Sequence, residues 1–257
     1  MTLPIEKLKT LYLQTTKHSH YQRMPRFLEG SIDPAELGKQ WDRYDEQRLD
    51  YFTSKVDFRN KKVVDIGANT GYFTFESIER GARQVISYEG SRNHAEFLRI
   101  ASDALDKNID VREEMLDFST VLPDAPFDIV LLLNVLHHVG DDFGEAIPNV
   151  SVAKTKIIDN LNWFAPQTEH MIFQIGFSWM TDYSKPLFPN GTKGEMIAMI
   201  TEGIKGYWDV VEIGIAQVKD GITRYEAVNE RNILRDDSLG EFRNRPVFIL
   251  KSLRRTS

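Results

Sequence analysis

Short apolar runs alternate with stretches of helical spacing through the middle of the chain. The apolar runs predict buried strands at residues 63–66, 84–88, 109–114, 128–133 and 170–176. Apolar positions at helical spacing predict helices over about 71–80, 91–105, 152–163 and 193–204. Strands that are nearly all apolar and alternate with helices are typical of a parallel sheet covered on both faces. We therefore predict a doubly wound α/β fold.

The N-terminal sixty residues precede the first strand and differ in character. Apolar positions over 4–16 predict an amphipathic helix, and Asp33 followed by Pro34 predicts the start of a second helix, which continues with a break through Trp41. These residues are too few and too polar to form a core of their own. We interpret residues 1–60 as a helical lid and 61–257 as the main domain.

The C-terminal third ends in two further apolar runs, at 207–214 and 246–251. They are joined without a helix and predict an antiparallel hairpin, with the polar stretch 217–245 as an insertion. We expect a mostly parallel sheet of seven strands whose last strand is antiparallel.

A glycine-bracketed turn follows the first strand and suggests a nucleotide site. Asp65 leads into Gly67–Gly71, and the second strand ends on Glu89. Glycines let a backbone approach a ligand closely, and a carboxylate at the tip of the neighbouring strand can accept two hydrogen bonds from ribose hydroxyls. The turn fits neither the dinucleotide fingerprint nor the phosphate loop.

The stretch D-I-G-A-N-T-G at 65–71 resembles motif I of the class I S-adenosylmethionine-dependent methyltransferases, D/E-x-G-x-G-x-G. Asn69 replaces the central glycine, and asparagine tolerates a left-handed backbone better than most residues. The resemblance extends over about residues 60–180 and implies S-adenosyl-L-methionine as the cofactor. The cofactor-binding residues that it implies are Asp65, Gly67, Ala68, Asn69, Gly71, Glu89, Gly90, Asp117, Phe118 and Asn134.

The resemblance also implies separate roles for these residues. Glu89 would hold the ribose, Asp117 the adenine amino group with Phe118 against the ring, and Asn134 would lie near the methionine amino group. Two simpler interpretations stay open from the residues alone. Glu89 is also explained as a solvated acid at a strand end, and Asp117 as a turn former.

The segment Asn134–Val139, N-V-L-H-H-V, resembles a methyltransferase motif IV in which two histidines follow the fourth strand. Imidazole, with an ordinary pKa of about 6.5, can accept the proton that a neutral nucleophile sheds during methyl transfer. An extended segment cannot point both histidines inward, so we favour His138 as the catalytic base over His137. The alternative, that both only shape the loop, stays open.

The other histidines do not predict a metal site. The spacing between these residues and His137 or His138 is not that of metal ligands, and we therefore expect no metal. The residues are His18, His20, His94 and His170. Candidates for recognising the acceptor fall in the lid and in the late loops. They are His18, His20, Tyr21, Gln22, Arg23, Arg26, Trp179, Tyr183, Lys185, Phe188, Arg224, Tyr225, Arg231 and Arg235.

Composition narrows the class of partner. A net charge of -6 and a pI near 5.6 argue against a broadly basic surface for nucleic acid. The chain has no cysteine, which excludes disulfides and thiolate chemistry. No apolar run approaches the ~18 residues that span a bilayer, so we expect a cytoplasmic protein without a membrane span.

These observations favour a methyltransferase that acts on an oxygen of a small molecule or a carbohydrate. Two alternatives remain: a transferase that modifies the wobble uridine of tRNA with a modified form of the cofactor, and a non-catalytic subunit that only binds the cofactor. The acceptor and the oligomeric state are left open by the sequence.

Overall fold

The computed structural model describes residues 4–14, 21–33, 35–37 and 43–255. The expectations for His18, His20, Pro34 and Trp41 lie outside the described residues. The α-helices are α1 Ile5–Leu13, α2 Asp45–Thr53, α3 Tyr72–Glu79, α4 Arg92–Ala104, α5 Val150–Trp163, α6 Lys193–Gly203 and α7 Gly240–Arg243. The strands are β1 Lys62–Ile66, β2 Gln84–Tyr88, β3 Ile109–Arg112, β4 Phe127–Leu133, β5 Thr168–Gln174, β6 Trp208–Lys219, β7 Ile222–Ala227 and β8 Val247–Ser252.

The chain forms two compact units. The first consists of Met1–Asp45 and Asp57–Met115, and the second of Glu46–Val56 and Leu116–Ser257. The first unit therefore holds the strands β1 to β3, and the second holds α2 and the strands β4 to β8.

Three parallel strands in the order β3-β2-β1 form the sheet of the first unit. In the register, Val64 lies opposite Ile86, and Ile86 lies opposite Asp110. Strands β1 and β2 are buried at four of their five positions. Such burial requires apolar residues on both faces, which explains why these strands read as continuous apolar runs.

The described N-terminal residues pack on the helices of the first unit. Leu8, Leu11 and Tyr12 of α1 share a buried cluster with Phe75 of α3 and Phe97 of α4. Their burial supplies the core that this segment could not form alone. The assignment of residues 1–60 as a lid stays a prediction.

Five strands in the order β4-β5-β8-β6-β7 form the sheet of the second unit. Strand β5 runs parallel to β4, whereas β8 is antiparallel to β5 and β6, and β7 is antiparallel to β6. The parallel strand pairs within each unit and the antiparallel C-terminal strands confirm the predicted α/β fold class.

Two details of the prediction were wrong. The described residues include an eighth strand, β7, inside the stretch 217–245 that we assigned to an insertion. The two late strands that we predicted, β6 and β8, do pair antiparallel, but the hairpin is formed by β6 and β7. The alternating burial of Thr223 and Tyr225 makes β7 a half-buried strand, which reads as polar in the sequence.

The predicted helix start at Asp33 is a turn in the described residues. Asp33 accepts hydrogen bonds at its side-chain Oδ1 from the amide of Ala35 and at its carbonyl from the amide of Glu36, but no helix follows over 35–37. The second helix instead begins at Asp45.

The described residues contain no segment suited to crossing a bilayer. None of their helices combines the necessary length with the necessary apolar character.

Gly71, which precedes α3, is required by both its backbone and its surroundings. Its φ is 83°, and an added Cβ would lie 2.3 Å from Leu98 Cδ2. We expect Gly71→Ala to lower the free energy of unfolding by about 2 to 4 kcal/mol, because left-handed strain and overpacking add. Urea unfolding measures this loss.

The matched control is Gly30→Ala in the same unit. Gly30 has a similar φ of 77°, but an added Cβ would meet no atom within 4 Å. This variant should lose only the backbone contribution of about 1 to 2 kcal/mol. Equal losses in the two variants would show that the contact with Leu98 costs nothing.

Candidate functional site

The turn after β1 has the backbone of a ligand-binding loop. Gly67, Asn69 and Gly71 have φ values of 71°, 54° and 83°. The amides of Gly67 and Ala68 both donate to the carbonyl oxygen of Tyr88, at 2.8 and 3.1 Å. Asn69 thus adopts the left-handed conformation that a glycine supplies at that position of the motif. We call Asp65, Gly67, Asn69, Gly71 and Glu89 the loop cluster.

Glu89 closes the loop cluster from the end of β2. Its Oε2 accepts a hydrogen bond from the amide of Asn69 at 2.6 Å, and its Oε1 accepts one from the amide of Ser91 at 2.7 Å. His94 Nδ1 lies 3.7 Å from Oε1. A carboxylate offers about four acceptor positions, so two amide bonds leave capacity for ligand hydroxyls. Glu89 is thus a structural clasp of the loop rather than a solvated acid.

Asp65 is buried beneath the loop. Its Oδ2 accepts a hydrogen bond from Thr74 Oγ1 at 2.7 Å, and Thr74 Oγ1 lies 3.0 Å from Ser87 Oγ. Burial is the main cause that raises the pKa of Asp65 to about 7; the Thr74 hydrogen bond opposes this shift, and the charge of Glu89 contributes to it. The carboxyl group therefore changes its charge near neutral pH.

Gly90 and Met115 form an apolar edge beside Glu89. A Cβ on Gly90 would lie 2.3 Å from Met115 Cε, so the methionine side chain lies directly over the glycine backbone. Met115 itself is 53% exposed. An exposed apolar side chain at this place offers a surface on which a planar ring can pack.

The described N-terminal residues reach the start of α3. Gln22 Oε1 accepts a hydrogen bond from the amide of Tyr72 at 3.2 Å, and Arg26 Nε lies 2.8 Å from Glu76 Oε1. The first amides of a helix have no partner inside the helix, and Gln22 supplies one. This side chain, which we grouped with residues for the acceptor, therefore acts within the first unit as a helix cap.

Asp117 and Phe118 face local partners in the second unit. Asp117 is exposed, and its carboxylate accepts hydrogen bonds from Ser119 Oγ at 2.6 Å and from the Ser119 amide at 2.8 Å, which lower its pKa. The Phe118 ring lies 5.4 to 5.8 Å from the rings of Phe143, Trp163 and Phe164. These contacts favour the turn-former interpretation of Asp117, and the cofactor roles of both residues stay predictions.

Asn134 is held on both sides by buried polar side chains. Its Nδ2 donates to Gln174 Oε1 at 2.9 Å, and its Oδ1 accepts from Arg245 Nη1 at 2.9 Å. Gln174 Oε1 also accepts from Arg48 Nη1 at 2.7 Å, and Arg245 contacts Glu241 through two nitrogens. Asn134 has a φ of 61°, so the network fixes a left-handed residue at the end of β4.

The two histidines lie in a 3-10 turn, Leu136–His138, and not in the extended segment that we expected. Both rings are buried, with centroids 4.4 Å apart. His137 Nδ1 accepts a hydrogen bond from the Gly176 amide at 3.4 Å. His138 Nδ1 lies 3.0 Å from Asp142 Oδ2 and 3.9 Å from Asp141 Oδ2. The helical turn therefore keeps both side chains inside, each with a different neighbour.

His138, Asp141 and Asp142 also place three atoms of metal-ligand type within 4.8 Å of one another. A 3.0 Å contact between a histidine and a carboxylate brings these atoms together without requiring a cation. The expectation of no metal stays a prediction.

Sequence reasoning missed several residues that shape these clusters. Thr74, Gln174 and Arg245 lie 9 to 111 positions from the side chains they contact. Such contacts carry no local signal. Asp142 is different, because its place four residues after His138 is the spacing of one helical turn and could have been noticed.

The geometry defines the class as an α/β protein with a clasped glycine loop after its first strand. A family model described as a methyltransferase domain matches residues 64–151. This range holds the end of β1, the strands β2 to β4, the loop cluster and both histidines. The matched residues, about a third of the chain, are therefore similar to a methyltransferase domain, in agreement with the resemblance of motif I.

Curated proteins resemble part of the chain. The tRNA U34 carboxymethyltransferase of Helicobacter acinonychis is 26% identical over 110 residues, which are 42% of this chain and 41% of that protein. The tRNA U34 carboxymethyltransferase of Campylobacter hominis is 36% identical over 89 residues, 34% of this chain and 30% of that protein. The ubiquinone biosynthesis O-methyltransferase of Neisseria meningitidis is 29% identical over 96 residues, 37% and 40% of the two chains. Each match thus spans less than half of the relative.

Solved structures extend the likeness to nearly the whole chain. The crystal structure of WbdD, a bifunctional kinase-methyltransferase, superposes with a TM-score of 0.61 at 19% identity over 95% of this chain and 46% of WbdD. A putative hemolysin from Streptococcus thermophilus gives a TM-score of 0.51 at 11% identity, over 85% of this chain and 70% of that one. At such identities the likeness shows the fold alone.

The buried Asp65 gives the stability of the protein a testable pH dependence. The ordinary pKa of 3.8 is raised in the folded state to about 7, so the unfolded state loses this proton first. Between pH 4 and 7 this group should lower the free energy of unfolding by up to about 4 kcal/mol, and above pH 7 its effect levels off. Asp65→Asn should remove that decline, as measured by urea unfolding across the range.

Asp57→Asn is the control for this series. Asp57 is exposed in the same unit, and Arg59 lowers its pKa to about 2. Its replacement should leave the slope between pH 4 and 7 unchanged. An undiminished slope in Asp65→Asn would show that Asp65 is ionised in the folded protein throughout.

Proposed function

We propose that this chain is an S-adenosylmethionine-dependent methyltransferase that methylates an oxygen of a small molecule or a glycan. The observation that carries the proposal is the loop cluster, in which Glu89 clasps the left-handed turn of Asn69 by a 2.6 Å hydrogen bond. A non-catalytic subunit would not need to retain both the loop and its acid. The match of residues 64–151 to a methyltransferase domain supports the same conclusion.

The residues of the loop cluster fit S-adenosylmethionine. Gly67 and Asn69 turn the backbone back toward Tyr88, and Glu89 keeps acceptor positions for two ribose hydroxyls. Met115 offers an apolar surface to a base. When bound, S-adenosylmethionine supplies a methyl group activated by a sulfonium.

His138 would supply the general base. Its neighbour His137 uses Nδ1 to accept the Gly176 amide and is fully buried, so it is less suited to proton exchange. His138 retains slight exposure, with 10% of its side chain accessible. Deprotonation of an acceptor hydroxyl by His138 would raise its nucleophilicity as the methyl group is transferred.

The acceptor class follows from charge and from the names of relatives. The net charge of -6 disfavours a large polyanion, because phosphate contacts dominate nucleic-acid affinity. One relative is named an O-methyltransferase. The second candidate is transfer to uridine 34 of tRNA, which the names of two relatives favour.

Calorimetric titration with S-adenosylmethionine and S-adenosylhomocysteine, with NADH as a control, tests the class. Micromolar binding of the first two and none of NADH is expected. Label from methyl-labelled cofactor should then appear in small molecules or sugars and not in tRNA. Mass spectrometry of ligand carried through purification would identify a modified cofactor, and that finding together with labelled tRNA would favour the second candidate.

Glu89→Ala tests the ribose assignment. The variant leaves the ribose hydroxyls unpaired, so the dissociation constant for S-adenosylhomocysteine should rise about 5- to 150-fold, equivalent to 1 to 3 kcal/mol. A 2′-deoxy analogue of S-adenosylhomocysteine should distinguish lost ribose contacts from a disturbed loop. It should bind the wild type more weakly but lose little further affinity in Glu89→Ala.

Glu113→Ala is the matched control, since Glu113 is the acid that follows β3 and pairs with Arg99 at 2.7 Å. The Glu113→Ala variant should bind S-adenosylhomocysteine and its 2′-deoxy analogue with the affinities of the wild type. If Glu89→Ala still prefers S-adenosylhomocysteine over the 2′-deoxy analogue by the same factor as the wild type, Glu89 is ruled out as the ribose contact.

His138→Ala tests the base. Turnover should fall about 100- to 10,000-fold, the usual contribution of a general base, while calorimetry shows cofactor affinity within about twofold of the wild type. His137→Ala should mainly lower stability, because it empties a fully buried site. Normal turnover in His138→Ala beside an inactive but folded His137→Ala would reverse the assignment.

A further inference from the structure

A carboxylate accompanies His138 within one turn of chain. Asp142 Oδ2 lies 3.0 Å from His138 Nδ1, and the side chains are only 10% and 16% exposed. The amides of Asp141 and Asp142 both donate to the carbonyl oxygen of His138, at 3.0 and 3.1 Å. The backbone of Asp142 is thus tied to the residue that its side chain faces. A carboxylate so shielded from water interacts more strongly with a neighbouring imidazole than an exposed carboxylate does.

The turn that carries Asp142 is braced from outside. Trp179 Nε1 donates to the Val139 carbonyl oxygen at 2.7 Å, and the Gly140 amide donates to that of Phe143 at 2.8 Å. Gly140 has a φ of 86°, and a Cβ there would lie 3.1 Å from Ile147. These contacts hold the backbone on both sides of Asp142, so the carboxylate is preorganised toward the imidazole.

The two histidines have opposite requirements at Nδ1. His137 Nδ1 faces an N–H donor, the Gly176 amide, and must present a lone pair. His138 Nδ1 lies 3.0 Å from an acceptor, the Asp142 carboxylate, at ion-pair distance but outside hydrogen-bonding geometry, and the negative charge favours a proton on this nitrogen. A neutral imidazole carries one proton, so His137 should be protonated at Nε2 and His138 at Nδ1.

We propose that Asp142 is a positioning residue for His138. It holds the Nδ1 proton, which leaves the lone pair on Nε2, and its charge stabilises the imidazolium formed when Nε2 takes a proton. The proton comes from the acceptor O–H, the Nδ1 proton stays on His138, and Asp142 remains ionised. This inference rests on the proposed function for the role of His138, but the tautomer itself does not.

Nuclear magnetic resonance of protein labelled with ¹⁵N-histidine reads the tautomer directly. At about pH 8, His138 should show protonated Nδ1 and bare Nε2, and His137 the reverse. His137→Gln and His138→Gln assign the signals. Asp142→Ala should abolish the Nδ1-protonated pattern of His138 while His137 keeps its own.

Asp141→Ala is the control for the tautomer, because Asp141 Oδ2 is 3.9 Å from His138 Nδ1. It should leave the His138 pattern unchanged. A bare Nδ1 in the wild type, or an unchanged pattern in Asp142→Ala, would overturn the proposal. So would displacement of the His138 signals by equimolar MgCl₂ or ZnCl₂, since the cluster would then be a cation site.

Kinetic constants distinguish a positioning role of Asp142 from a purely structural one. In Asp142→Ala, kcat should fall about 10- to 100-fold, part of the contribution of a general base, with KM for the acceptor within about twofold. Asp142→Asn retains a carbonyl acceptor and should recover the tautomer but only part of kcat. An unchanged kcat in Asp142→Ala would overturn the role. If the wild type shows the expected tautomers but transfers no methyl group, the result would instead count against the proposed function.

Discussion

The carboxylate of Glu89 binds the ends of two neighbouring strands to each other. It accepts the Asn69 amide from the turn after β1 and the Ser91 amide at the start of α4, at 2.6 and 2.7 Å. A hydrogen bond to an ionised group is stronger than one between neutral groups. The Glu89 side chain that accepts these bonds is buried. The left-handed turn, its two bonds to Tyr88 and the start of the next helix therefore share one anchor.

The sequence predicts those parts of the fold whose physics is local. Val63 and Val64 are fully buried, so β1 had to be apolar on both faces and was visible as a run. Gly71 could be placed at a turn because few other residues fit there. The strand β7 escaped notice because only Thr223 and Tyr225 face inward, which gives an alternating pattern that charged neighbours obscure.

The candidate site likewise has parts that the local sequence predicts and parts that it does not. The loop cluster lies within 25 residues and follows from a motif. Asn134 also follows from a motif, but what fixes it does not: Gln174 is 40 residues away and Arg245 is 111. The 3-10 turn of the histidines was missed because we expected the segment after β4 to stay extended. For the same reason the approach of Asp142 to His138 was missed as well.

Gln22 illustrates how an extension becomes inseparable from a domain. Its amide oxygen takes the Tyr72 hydrogen bond that the helix cannot satisfy itself, fifty residues away in the chain. A homologue that exchanged this segment for another would have to find a new acceptor for the same amide. Variation of the N-terminal segment is thus coupled to the first turn of α3, and the two should change together in evolution.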